Sequence, residues 1–269
     1  MADSMIDTHC HLDIIQEQGQ EIPISLEKTR NSGVDHLVQI GIDLPSSKRA
    51  IEISETYSRP ELKIHYSIGC HPTETHEFPN ADEILELAKS KLEDPNFSAI
   101  GEIGMDLYHS KDSRREQNHI LRKFLEFSSE HKLPVVIHSR DAFEDTYEAL
   151  KEYKTKSFGV IHCFTYDYEA AKRFVDLGYY ISFSGILTFK SAVDIQDAAK
   201  KIPLESILME TDAPFLAPMP HRGKRNDSSN LSYIREKMFS LRTELNSTVS
   251  ESIYQNSLKF LNRKAYYHA

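Results

Sequence analysis

Val34-Asp35-His36-Leu37-Val38-Gln39-Ile40 is a short run rich in branched apolar residues, and the chain on either side of it decides the fold. Residues 48–57 are helix-compatible and lead to a second strand-like run at 63–69. Strand, helix and strand in that order make a βαβ unit, which belongs to a parallel sheet. Upstream, residues 5–13 read as a first strand. Downstream the unit repeats. Helix-like 81–92, with Ile84, Leu85, Leu87 and Ala88 as its apolar face, leads to a strand at 97–103. Ser113 with Glu116 reads as a capping box that opens a helix striped by Ile120, Leu121, Phe124 and Leu125. That helix stops before Pro134-Val135-Val136-Ile137. Asp141 with Glu144 caps the next helix, to about residue 153, before a strand at 158–163. Residues 167–177, closed by Gly178, precede strand 179–184, and 192–200 precede 206–210. Leu231, Ile234, Met238 and Leu241 mark one further helix, and Thr248 with Glu251 caps a last one. Eight such units predict a single-domain (β/α)8 TIM barrel over residues 1–269, ahead of an open doubly wound sheet of the same order.

Composition is consistent with this. Hydrophobic residues make up 39% and charged residues 27% of the 269, a soluble globular profile. No apolar run approaches the roughly 18 residues of a spanning helix, and Met1-Ala2-Asp3-Ser4 is short and acidic, so a cytoplasmic protein without a membrane role is expected. Cys10, Cys70 and Cys163 match no disulfide framework or structural zinc module and read as reduced buried thiols. A net charge of −9 argues against sequence-blind coating of nucleic acid, which needs a basic surface. It leaves room for a local basic patch or a metal that receives phosphate. With no apolar patch evident, a monomer without an obligate protein partner is expected.

In a barrel of this kind the chemistry collects at the carboxyl ends of the strands. His9 and His11, in Asp7-Thr8-His9-Cys10-His11, fall on one face of an extended strand with Cβ atoms about 7 Å apart. Glu102 ends the fourth strand, His138 the fifth, His162 the sixth, and Asp212 follows the eighth. Four imidazoles and two carboxylates are a stock of ligands for two divalent ions. Glu102 is best placed to bridge them with its two oxygens. Asp212 is both a ligand candidate and a candidate general base. The mixed donor set does not itself name the ion; the expectation is Mg²⁺ or Mn²⁺ in function, with Zn²⁺ able to occupy the site. His71 reaches the same mouth from the third strand. Residues 213–229 form a long connection containing His221-Arg222-Gly223-Lys224-Arg225, the densest basic cluster of the chain, in which Arg222 and Lys224 are candidate phosphate donors. Arg140 is expected to pair with an acid at the barrel rim, the alternative being a contact with the backbone of a substrate. The other histidines, including His36, His65 and His268, read as ordinary.

Asp7-Thr8-His9-Cys10-His11-Leu12-Asp13, Gly69-Cys70-His71-Pro72, Gly101-Glu102-Ile103-Gly104-Met105-Asp106, His138-Ser139-Arg140-Asp141-Ala142, His162-Cys163-Phe164 and Glu210-Thr211-Asp212-Ala213-Pro214-Phe215-Leu216 together resemble the TatD family of metal-dependent deoxyribonucleases. The resemblance covers nearly the whole chain, in order. It implies a (β/α)8 metallohydrolase of amidohydrolase type that cleaves DNA phosphodiesters, with a 3′-5′ exonuclease action on single-stranded ends. It also implies that His9, His11, Glu102 and Asp212 hold one metal and Glu102, His138 and His162 the other, with His71 contacting substrate. Two alternatives stay open: an ester hydrolase such as a D-aminoacyl-tRNA deacylase, and a non-catalytic metal-holding scaffold that binds nucleic acid. Where the family pattern places an acid and then proline, this chain has Asp227-Ser228, and a less rigid loop is expected there.

Overall fold

A computed structural model describes residues 4–153 and 158–262; residues 1–3 and His268 of the sequence reading lie outside the described residues. One eight-stranded sheet runs in chain order through β1 (Met5–Cys10), β2 (Val34–Gln39), β3 (Lys63–Ile68), β4 (Phe97–Asp106), β5 (Val135–Arg140), β6 (Gly159–Ile161), β7 (Tyr180–Phe183) and β8 (Ile207–Met209). Every neighbouring pair is parallel. The seam between the last strand and the first is closed by Thr8 Oγ1 donating to Met209 O (3.0 Å), Asp212 N to His9 O (2.9 Å) and His11 N to Ala213 O (2.7 Å). The result is the expected (β/α)8 TIM barrel.

The helices are α1 (Leu12–Glu17), α2 (Ile22–Asn31), α3 (Leu44–Tyr57), α4 (Ala81–Ser90), α5 (Arg114–His131), α6 (Phe143–Glu152), α7 (Tyr168–Asp176), α8 (Val193–Lys201), α9 (Leu231–Leu241) and α10 (Asn246–Leu261). None of them is long and apolar enough to cross a membrane. Their apolar faces pack on the outside of the sheet, so strands such as β4 are buried on both sides. A smaller cluster fills the inside of the barrel: Ile6, Val38, Ala99, Val136, Val160 and Leu208 meet Phe260 and Leu261 of α10. Asn256 of the same helix donates to Leu204 O and Ile207 O, at the amino end of β8, so α10 plugs that end. The carboxyl end of the barrel opens into a cavity that holds the sequence's histidines and acids.

Several sequence-read caps differ from those observed. Asp43 and Ser46 form a reciprocal capping box on α3, and Asp167 caps α7 by accepting from Ala170 N at 2.9 Å. Ser113 makes no cap bond to α5. Its hydroxyl turns back to Ser110 O at 2.9 Å because a 3₁₀ turn, Lys111–Ser113, precedes the helix. Ala142, not Asp141, occupies the N-cap of α6, and Glu144 is drawn to Arg173 instead, at 2.7 and 3.1 Å. Thr248 and Glu251 lie within α10, which starts at Asn246.

Candidate metal centre

The polar cavity, about 650 Å³, is lined by residues that follow or end the strands, among them His11, His71, Glu102, His138, His162 and Asp212. Their convergence starts from local backbone form. β1 ends at Cys10, and His11 is the N-cap residue of α1 rather than a strand residue. This break in the strand brings the two imidazoles to an Nε2–Nε2 distance of 3.2 Å. In β4, Gly101 and Gly104 flank Glu102 with φ of +144° and +152°. A Cβ at Gly104 would lie 1.9 Å from His138 O, and one at Gly101 would lie 2.6 Å from Val136 O. The two glycines let β4 press against β5, which sets Glu102 beside His138.

Glu102 is buried, and its two oxygens face different neighbours. Oε2 is 3.4 Å from His9 Nε2, which is itself 3.6 Å from Asp212 Oδ1; His11 Nε2 is 3.7 Å from that same Asp212 oxygen. Oε1 is 2.8 Å from His162 Nε2, 2.9 Å from His138 Nδ1 and 3.2 Å from His71 Nε2. Thus His9, His11 and Asp212 form one group able to hold a metal ion, while His71, Glu102 and His138 form another. The six ligands expected from sequence are brought together. His71 joins them, with Nδ1 fixed 2.7 Å from Thr73 Oγ1.

Two carboxylates that sequence reasoning left without a role set the imidazole directions. Asp106 Oδ2 is 3.0 Å from His138 Nε2, which turns Nδ1 of that ring toward Glu102. Glu210 Oε1 is 3.3 Å from His162 Nδ1 and accepts from Cys163 N at 2.5 Å, leaving His162 Nε2 on Glu102. Carboxylates behind ligating histidines are the usual means of fixing a ring's tautomer and aim. A signal was available for Asp106: in an extended strand, residues 102, 104 and 106 share a face. Asp7 performs a different task, accepting from Thr211 N (2.9 Å), Thr211 Oγ1 (2.6 Å) and His9 N (3.3 Å), so that it clamps β1 to the segment carrying Asp212. Burial pushes its carboxyl up to about 7.

Burial raises the pKa of Glu102, but the charges of His162 and His71 and the hydrogen bonds of His138 and His162 outweigh it and hold the carboxyl well below its ordinary range. Burial also opposes charge on His162 and His138. Even so, Glu102 with Glu210, and Asp106 with Glu102, lift the two imidazoles above the ordinary value. His9 is pulled the other way, by burial and by the charge of His162, whose ring stacks on it at 4.0 Å. The Nδ1 atoms of His9 and His11 are buried without hydrogen-bond partners among the described residues. Two imidazoles whose Nε2 atoms crowd together beside two carboxylates form a donor set that a divalent cation suits, so the residues fit a metal.

Matching of the chain to known families agrees with this geometry. The family described as TatD related DNase matches residues 6–262. The chain belongs to that family. It is 34% identical over 239 residues to the uncharacterized metal-dependent hydrolase YabD of Bacillus subtilis, covering 88% of this chain and 91% of that one. It is also 34% identical over 237 residues to the uncharacterized metal-dependent hydrolase YcfH of Escherichia coli K12, covering 87% and 86%. Among solved structures, the TatD homolog YjjV of Escherichia coli superposes with a TM-score of 0.86 at 28% identity, over 96% of this chain and 98% of that one. A TatD family hydrolase from Entamoeba histolytica gives 0.84 at 25% identity, over 97% and 98%.

The basic loop sits elsewhere. Arg222 lays its guanidinium 4.4 Å above the Phe189 ring, and neither Arg222 nor Lys224 lines the cavity. Nor is the segment loose where the family's proline is replaced. Asn226 Nδ2 donates to Thr211 O (2.8 Å) and Phe215 O (2.7 Å), while the Asp227 carboxylate accepts from Gln20 and Ser25 of the neighbouring α1–α2 region at 3.0 and 2.8 Å. Those bonds supply the restraint that proline would have given. Arg140 makes no ion pair among the described residues, contrary to the rim pairing expected; its guanidinium lies 4.2 Å over the ring of Tyr108.

Proposed function

We propose that this site hydrolyses DNA phosphodiester bonds with two divalent ions, Mg²⁺ or Mn²⁺ in function, and that it shortens single-stranded ends in the 3′-5′ direction. The observation that carries the reading is the position of Glu102, whose two oxygens serve two separate donor groups. His9, His11, Glu102 and Asp212 would hold one ion, and Glu102, His138 and His162 the other. Bound ions of this kind polarise the phosphoryl group and lower the pKa of a water molecule.

The chain's own residues do the rest. Asp212 lines the cavity with Oδ1 near His9 and His11, and its second oxygen is assigned to take a proton from the attacking water. Asp106 and Glu210 keep His138 and His162 from rotating. His71, its ring anchored by Thr73, is assigned to a phosphate oxygen of the substrate. Arg222 and Lys224, outside the cavity lining, are assigned to phosphates farther along the strand. A pit closed at its base by α10 admits a frayed end more readily than an intact duplex.

The test is end-labelled single- and double-stranded DNA with Mg²⁺, Mn²⁺ or Zn²⁺, and with chelator. Single strands are expected to shorten from the 3′ end, faster than duplex, and chelator should stop the reaction. No cleavage with any ion sinks the nuclease reading. Inert DNA together with deacylation of a D-aminoacyl-tRNA transfers the site to ester hydrolysis.

A further inference from the structure

At the lip of the cavity, Tyr108 is 61% exposed, above a floor whose Glu102 and His162 are buried. Its backbone is held in place. Its backbone N donates at 3.0 Å to Asp106 Oδ1, on the same carboxylate that aims His138, so the residue's main chain is tied to the candidate metal centre. Arg140 covers one face at 4.2 Å, and the ring of His109 meets it edge-on at 4.8 Å and 83°. The Arg140 backbone is pinned as well, its carbonyl accepting from Leu107 N at 3.0 Å. Arg140 is also the one Lys or Arg among the described residues lining the cavity, and no carboxylate among them neutralises it.

An exposed aromatic ring beside a guanidinium that no carboxylate among the described residues pairs with has the chemistry of a nucleotide subsite. Every base offers a π-face to an aromatic ring, and a guanidinium pairs with phosphate. We infer that Tyr108 is a stacking platform for an unpaired nucleobase next to the scissile bond, and that Arg140 holds the adjoining phosphate. The inference rests on the nuclease reading and gives it a physical basis for strand choice: a base inside a duplex has no free face to offer. Phe215, 46% exposed on the opposite lip, is set edge-on to His11 at 6.0 Å, so a change there also alters the surroundings of a proposed ligand. Tyr108 can.

The experiment uses single-stranded oligonucleotides made abasic, in turn, at each nucleotide flanking the scissile bond. KM and kcat are read on the metal-loaded protein, and Kd by fluorescence anisotropy in an Asp212→Asn background. With wild type, loss of one base should raise KM and Kd by about fivefold to a hundredfold with kcat little changed. Tyr108→Ala should show that penalty on normal DNA and none further on abasic DNA, while Tyr108→Phe, which keeps the ring, should match wild type. Arg140→Ala should lower the slope of log Kd against log salt by about 0.7, one single-strand phosphate contact. An abasic penalty equal in wild type and Tyr108→Ala overturns the platform and leaves the nuclease reading standing. A wild type that cleaves no DNA removes both.

Discussion

Glu102→Gln is expected to lower DNA cleavage by at least about a thousandfold while the chain stays folded. The substitution conserves volume and both heavy atoms, so the packing of β4 on β5 has no steric reason to change. What changes is the ligand: one oxygen becomes an NH2 group, a donor with no lone pair for a cation. Whichever way the amide turns, that NH2 meets one of the two donor groups, either His9 or the trio of His71, His138 and His162. The buried centre also loses the negative charge that balances its imidazoles. The check is cleavage rate at saturating metal together with circular dichroism. Near-wild-type rates in a folded Glu102→Gln protein would remove Glu102 from the centre of the mechanism.

Asp212→Asn should reduce kcat by about a hundredfold to ten-thousandfold with KM little altered. Asp212 adopts a φ of +55°, a conformation that Asn tolerates as well as Asp does, so the backbone has no cause to move. The amide keeps one oxygen that can still face His9 and His11, but it cannot accept a proton from water. A selective loss in kcat therefore separates the general base from a mere ligand. If kcat holds and only metal affinity falls, Asp212 is a ligand alone.

The barrel was legible because its strands are punctuated by helices with clear apolar stripes, and parallel strands buried on both faces leave little ambiguity. Helix starts were less legible: Ser113 and Glu144 had the right types at the right spacing, yet Ser110 and Arg173 offered them other partners. The candidate ligand histidines and acids could be read because each lies in or just after a strand, toward the barrel's carboxyl end. The aim of the His138 and His162 rings could not, since it depends on Asp106 and Glu210, whose carboxylates stand behind the ligands. The basic loop shows a further limit. A run of cations fixes where charge lies along the chain but not which way long side chains lean, and Arg222 leans onto Phe189 while Arg140 takes the cavity rim.

Metal content per chain tests the shared centre most directly. Equilibrium dialysis against Mn²⁺ followed by elemental analysis should give two equivalents for the wild type and one for His9→Ala, because His9 sits in one donor group and the other keeps Glu102, His138 and His162. A single equivalent in the wild type, or two in both proteins, would contradict a pair of ions joined through Glu102.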